Sequence, residues 1–117
     1  MNKRREPRIR KGFLVELSRR GMEQLGVTVN VSRRGMCIAT TGVLRRSSRL
    51  RVVIAAADEL FSLSGRVVWN LKKTPLSPAD VPAEIGIRIE EAPRAYYRFI
   101  SSARRAALLP PKDPLTC

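Results

Sequence analysis

VTVNVSRRGMCIATT, residues 27–41, decides the architecture. Val27, Val29 and Val31 alternate with Thr28 and Asn30, the two-residue period of a strand buried on one face. Arg33-Arg34-Gly35 makes a turn, and MCIATT at 36–41 resumes as a second extended run. Two strands joined by a short turn point to an antiparallel sheet.

The same period recurs on both sides. GFLVELS (12–18) places Phe13, Val15 and Leu17 on one face. RLRVVIAAA (49–57) is a further strand, ended by an Asp58-Glu59 turn. LFSLSGRVVWNL (60–71) is a longer one, with Gly65 marking a bulge or bend. KKTPLSPADVP (72–82) carries three prolines and reads as a loop, and AEIGIRIEE (83–91) is the last strand. The period then changes. Pro93 suits a helix start, and Tyr96, Phe99, Ile100 and Ala103 form an apolar stripe, which predicts a helix over about 94–108. Pro110-Pro111 ends it, and 109–117 reads as a disordered tail. Six short strands and one helix suggest a barrel or a sandwich, and closing the sheet removes its edges. The expected organisation is a flexible basic segment over 1–11, a β-barrel over 12–91, a C-terminal helix over 92–108 and the tail.

Composition narrows the chemistry. The chain has 117 residues, enough for one domain, and 44% of them are hydrophobic, so a core can form. No apolar run approaches the roughly 20 residues that span a bilayer, and no secretory leader pattern is seen, so a cytoplasmic setting without membrane insertion is expected. The 23 basic and 10 acidic residues give a net charge of +13, which implies an anionic partner. Cys37 and Cys117 have no CxxC spacing, and Cys37 reads as a small buried hydrophobe. Histidine is absent, and no GxSxG, P-loop or GxGxxG occurs. The adjacent carboxylates Asp58-Glu59 and Glu90-Glu91 point to opposite faces of a strand, so neither pair is placed for acid–base work. No enzyme, metal site or cofactor is expected.

Two motifs remain. MNKRREPRIRKG (1–12) contains Arg4-x-x-x-Arg8, and Pro7 between them removes a backbone donor and turns Glu6 away from helical angles. The two arginines therefore lie on an extended or turning segment with separate reach. The second motif is Asn30-x-Ser32-x-x-Gly35. The stretch between them is long enough for one strand out and one back, which folds the basic segment over the end of the second strand.

Paired in this order, the motifs resemble RxxxR followed by (D/N)xSxxG, the signature of PilZ domains, bacterial receptors for cyclic di-GMP. The resemblance covers about residues 3–104 and extends to the element order, to GRVVW at 65–69 and to GIRI at 86–89. It implies a mainly β fold, a six-stranded antiparallel barrel of the PilZ split-barrel type with one C-terminal α-helix. It implies cyclic di-GMP as ligand, bound by Arg4, Arg8, Asn30, Ser32 and Gly35, with Arg5, Arg34 and Trp69 as further candidates and Arg33 as a supplementary phosphate contact. An aromatic on the strand of Trp69 lies near a guanine in some members. A basic residue at the place of Lys3 is associated with an intercalated nucleotide dimer. Many members carry aspartate where this chain has Asn30.

The chemistry suits these residue types. Guanine shows O6 and N7 acceptors on one edge, which an arginine fork meets with two hydrogen bonds. Arginine also pairs with phosphate and stacks on purines. The other guanine edge donates, and the Asn30 side-chain oxygen accepts, though with less charge than aspartate. Ser32 offers a small hydroxyl. Gly35 has no Cβ, so a positive φ and a close approach to its backbone are open to it.

Ligand binding is expected to order residues 1–11, and an effector protein, not identifiable from the sequence, to read the changed surface. A monomer or weak dimer is expected. Two other readings compete. A nucleic-acid-binding barrel draws on the net charge and on Arg45, Arg46, Arg49 and Arg51, but single-strand binders need aromatic platforms, and few are available. A PilZ-like module that binds no nucleotide and serves protein contacts only usually lacks the arginine motif.

Overall fold

The computed structural model describes residues 8–42, 44–56, 58–71 and 83–107, with side chains as far as Ala103. The strands are β1 (Leu14–Arg19), β2 (Met22–Val31), β3 (Gly35–Thr40), β4 (Arg49–Ala56), β5 (Glu59–Leu71) and β6 (Ala83–Glu91), and the helix is α1 (Arg94–Ala107). All pairings are antiparallel, and contact between β1 and β4 closes the order β1-β2-β3-β6-β5-β4 into a barrel. The expected six-stranded barrel with a C-terminal helix is the observed fold. The tail at 109–117, the loop at 72–82 and most of the basic segment lie outside the described residues.

Alternation builds the core. Val15 and Leu17 of β1, Val52 and Ile54 of β4, Leu63 and Val67 of β5, and Ile85 and Ile87 of β6 all point inward and are buried. Arg20 and Gly21 both have positive φ, 52° and 81°, and form the two-residue turn that reverses β1 into β2. The periodicity of the sequence assigns neither this turn nor the first half of β2.

β2 departs from the simple alternation. Val31 is fully buried, but Val27 is 47% exposed and Thr28 takes the inward place at 3%. A register shift between Thr28 and Asn30 makes Val29 an extra residue, so the strand changes phase there. The buried Thr28 hydroxyl is satisfied: Oγ1 accepts from Phe13 N and donates to Lys11 O, both at 2.7 Å.

The basic segment also differs from expectation at its end. Ile9 bridges Val31 through two backbone hydrogen bonds of 2.8 and 3.0 Å, and its side chain joins the core. Its flanking charges, Arg8 and Arg10, stay in water. The chain is thus anchored to the barrel from Ile9 onward, ahead of the expected boundary at residue 12.

α1 closes the end of the barrel at which β1 and β5 begin and β2 ends. Tyr96 and Ile100 are fully buried, and Phe99 stacks on Phe61 and meets Phe13 edge-on, both at 5.4 Å between centroids. No helix among the described residues is long and apolar enough to cross a membrane.

Elsewhere on the barrel Glu90 accepts from Arg66 Nε at 3.0 Å, with Arg49 Nε 4.0 Å away. The hydrogen bond from Arg66 is the main reason that the Glu90 carboxyl ionises below its usual range. Partial burial opposes this, and the charges of Arg66, Arg49 and Arg88 add to the lowering. A lowered pKa in the folded state stabilises above the ordinary glutamate range and loses that contribution as pH falls through the folded value. Thermal stability should therefore decline from about pH 5 downward, and Glu90→Gln should flatten part of that decline in a melting series across pH.

Candidate functional site

The register of four strands lays one row of residues across the outer wall. Asn30 on β2 faces Cys37 on β3, Cys37 faces Gly86 on β6, and Gly86 faces Trp69 on β5. Three interstrand spacings make this row about 14 Å long. The middle positions are small and the ends are large, so the row is a shallow trough with Asn30 and Trp69 as its walls. A depression of about 420 Å³ lies over it.

Two bulges shape the trough. The extra residue in β2 turns Val29 and Asn30 into the depression together, and a second shift between Val67 and Trp69 does the same for Val68 and Trp69. Trp69 is 42% exposed, and its indole packs closely against Gly86: a Cβ built on Gly86 would fall 2.1 Å from Nε1. Glycine at 86 is what lets the ring lie on the sheet. Beneath it, Cys37 is buried and its thiol donates to Glu84 Oε1 at 3.7 Å.

Arg8 enters from the side. The bridge at Ile9 fixes the backbone next to it, and its Nη1 donates to Asn30 Oδ1 at 2.7 Å. The guanidinium is otherwise exposed, with most of its fork facing solvent. Asn30 Oδ1 keeps a second lone pair for another donor. Three predicted residues, Arg8, Asn30 and Trp69, are thereby brought to one depression.

Ser32 and Gly35, expected to face the ligand, are instead buried inside the turn. Ser32 Oγ accepts from Gly35 N at 3.2 Å and donates to Gly35 O at 3.1 Å, and Ser32 N donates to Gly35 O at 2.8 Å. Tyr96 Oη donates to Ser32 O at 2.8 Å and ties the turn to α1. Gly21 is the only glycine with positive φ among the described residues, so Gly35 is not needed for its angles. It is needed for space, because an added Cβ would sit 2.6 Å from Ile87 O. Neither lines the trough, and both build the turn that follows β2. Arg33 lies over the Tyr97 ring, 4.9 Å from its centroid. Arg34 is exposed and its carbonyl accepts from Ile89 N at 2.7 Å; neither lines the trough. Lys3, Arg4 and Arg5 lie outside the described residues.

The sequence reading missed the floor. From the sequence, Cys37 reads as a buried hydrophobe and Gly86 as part of a strand. A glycine in mid-strand was the available signal of close approach. A larger depression of about 730 Å³ gathers Arg19, Arg20, Arg49, Arg51 and Arg66 elsewhere on the barrel, but it contains none of the predicted site residues. Among the described residues, no cluster of His, Cys, Asp or Glu could hold a metal ion.

Comparison with known proteins agrees with this fold. The family model described as PilZ domain matches residues 2–102. No curated protein sequence matches. Among solved structures, the PilZ domain of YcgR from Escherichia coli, determined with c-di-GMP, superposes with a TM-score of 0.69 at 14% identity, covering 91% of this chain and 95% of that one. The inhibitor of motility MotI/DgrA of Bacillus subtilis gives a TM-score of 0.76 at 14% identity over 92% of this chain. The match takes in 53% of the Bacillus protein, so this chain spans about half its length.

Proposed function

Because the chain belongs to the PilZ domain family, we propose that it is a cyclic di-GMP receptor that holds the nucleotide between the Arg4-x-x-x-Arg8 segment and the Asn30–Cys37–Gly86–Trp69 row. PilZ domains are ligand-binding receptor modules, not enzymes. The carrying observation is the meeting of Arg8, Asn30 and Trp69 over one depression, three residue types that suit a guanine nucleotide. The solved YcgR domain with its c-di-GMP supports the choice of ligand.

In this reading the Arg8 fork meets a guanine edge or a phosphate, Asn30 Oδ1 accepts from the guanine N–H edge, and Trp69 stacks on a base. Ser32 and Gly35 act through the turn that holds Asn30. Arg4 adds a second arginine to the nucleotide, and Ile9 anchors the described end of the segment. Lys3 favours an intercalated nucleotide dimer, and Arg5 and Arg34 add attraction. The surface so formed is read by an effector protein.

The nucleic-acid reading is weaker. Phe13, Phe61 and Tyr96 are buried in the core, which leaves Trp69 as the most exposed aromatic among the described residues. A single platform does not suit a strand of stacked bases. Titration calorimetry with cyclic di-GMP, beside GTP and GMP, tests the proposal. Saturable binding of cyclic di-GMP alone is expected, with two nucleotides per chain. A flat trace at micromolar concentrations would leave a module for protein contacts only, and one nucleotide per chain would remove the role given to Lys3.

A further inference from the structure

We propose that the face made by the β2–β3 turn and the first half of α1 docks an acidic protein segment, a stretch of a partner with closely spaced Asp or Glu side chains. A depression of about 450 Å³ there is lined by Arg33, Arg94, Tyr97, Arg98 and two serines. It shares no lining residue with the trough of Arg8 and Trp69, and the proposal does not rest on nucleotide binding.

Three guanidinium groups surround this depression and no carboxylate lines it. Among the described residues the ion pairs are those of Arg49 and Arg66 with Glu90, so none of these three arginines has one. All three are exposed. Their placement works against the helix. Arg94 opens α1, where the macrodipole is positive, and the first turn has no acidic residue. Arg98 follows one turn later, a like-charge neighbour of Arg94. A bound anion relieves both conflicts, and local conflicts of this kind gather at functional surfaces.

The spread of the forks selects the ligand. Arg94 and Arg98 are separated by one helical turn, about 6 Å between Cβ atoms, and Arg33 arrives from a different element across Tyr97. A lone small oxyanion meets one or two of these groups. Carboxylates one helical turn apart on a peptide match the spacing of Arg94 and Arg98, and arginine favours a carboxylate in two-pronged geometry. One face of the Tyr97 ring is already taken by Arg33, so a nucleobase would have to displace that guanidinium to stack there.

The test is fluorescence anisotropy with a labelled peptide bearing pairs of glutamates one helical turn apart, and with a single-stranded oligothymidylate of equal charge. Wild type is compared with Arg94→Gln/Arg98→Gln and with the charge-matched Arg45→Gln/Arg46→Gln, whose side chains lie outside this depression. Glutamine preserves helix propensity, and circular dichroism checks folding. The helix variant should bind the peptide about tenfold more weakly, and the control variant should change less than about twofold. Equal losses in both variants would reduce the effect to net charge and overturn the proposal. So would an oligothymidylate that binds as tightly as the peptide and is lost in parallel. Cyclic di-GMP titration of the helix variant should match wild type; a matching loss of nucleotide affinity would contradict a separate surface.

Discussion

Alanine at Arg8 is expected to weaken cyclic di-GMP binding by about 10- to 100-fold and to leave the fold intact. A hydrogen bond to a charged group contributes about 1.5–3 kcal/mol, and each 1.4 kcal/mol is about a factor of ten in affinity. The fold survives because Arg8 is exposed and the anchor belongs to its neighbour, Ile9. The Asn30 oxygen released by the substitution is only partly buried, so water replaces the lost donor. Lysine at position 8 should recover only part of the affinity, since it restores the charge but not the fork. Alanine at Arg4 should act in the same direction. Calorimetry of each variant, with thermal melts as the control for folding, measures this. Wild-type affinity in both alanine variants would remove the arginine motif from the site.

Tyr96→Ala is expected to have the largest effect on stability. The side chain is fully buried, meets Phe61 edge-on at 6.2 Å and donates to Ser32 O. Truncating a buried aromatic to alanine costs about 3–5 kcal/mol, a large share of the roughly 5–15 kcal/mol that holds a domain of this size. The melting temperature should fall by more than about 10 °C. Tyr96→Phe separates the two contributions. It keeps the ring and removes only the hydrogen bond to the turn, so about 1 kcal/mol should be lost. A Tyr96→Phe protein as unstable as Tyr96→Ala would show that the hydroxyl network, not packing, carries the helix.

How far the site was legible depends on the residue. The strands and helix could be read because a period of two or of three to four residues survives in almost every segment. β2 escaped in part. Its first half holds polar and glycine residues with no clean alternation, and its bulge at Val29 inverts the expected faces of Val27 and Thr28. A bulge is a pairing event between strands, so no period within one strand announces it. Ile9 was hidden by its charged neighbours, because a single apolar residue makes no pattern.

The motif names Asn30, Ser32 and Gly35, but it does not tell which of them faces the depression. The burial of Ser32 and Gly35 depends on Tyr96 and Ile87, far along the chain. The trough floor at Cys37 and Gly86 depends on the register of β3 against β6, which only the folded sheet reveals.

Trp69 offers the most direct test of the central claim. It is the only tryptophan in the chain and it forms one wall of the trough. Its fluorescence, followed while cyclic di-GMP is added, should change saturably as a guanine stacks on the indole, with no comparable change on adding GMP or GTP. Unchanged tryptophan emission at cyclic di-GMP concentrations that saturate the protein by calorimetry would contradict the placement of the nucleotide over the Asn30–Cys37–Gly86–Trp69 row.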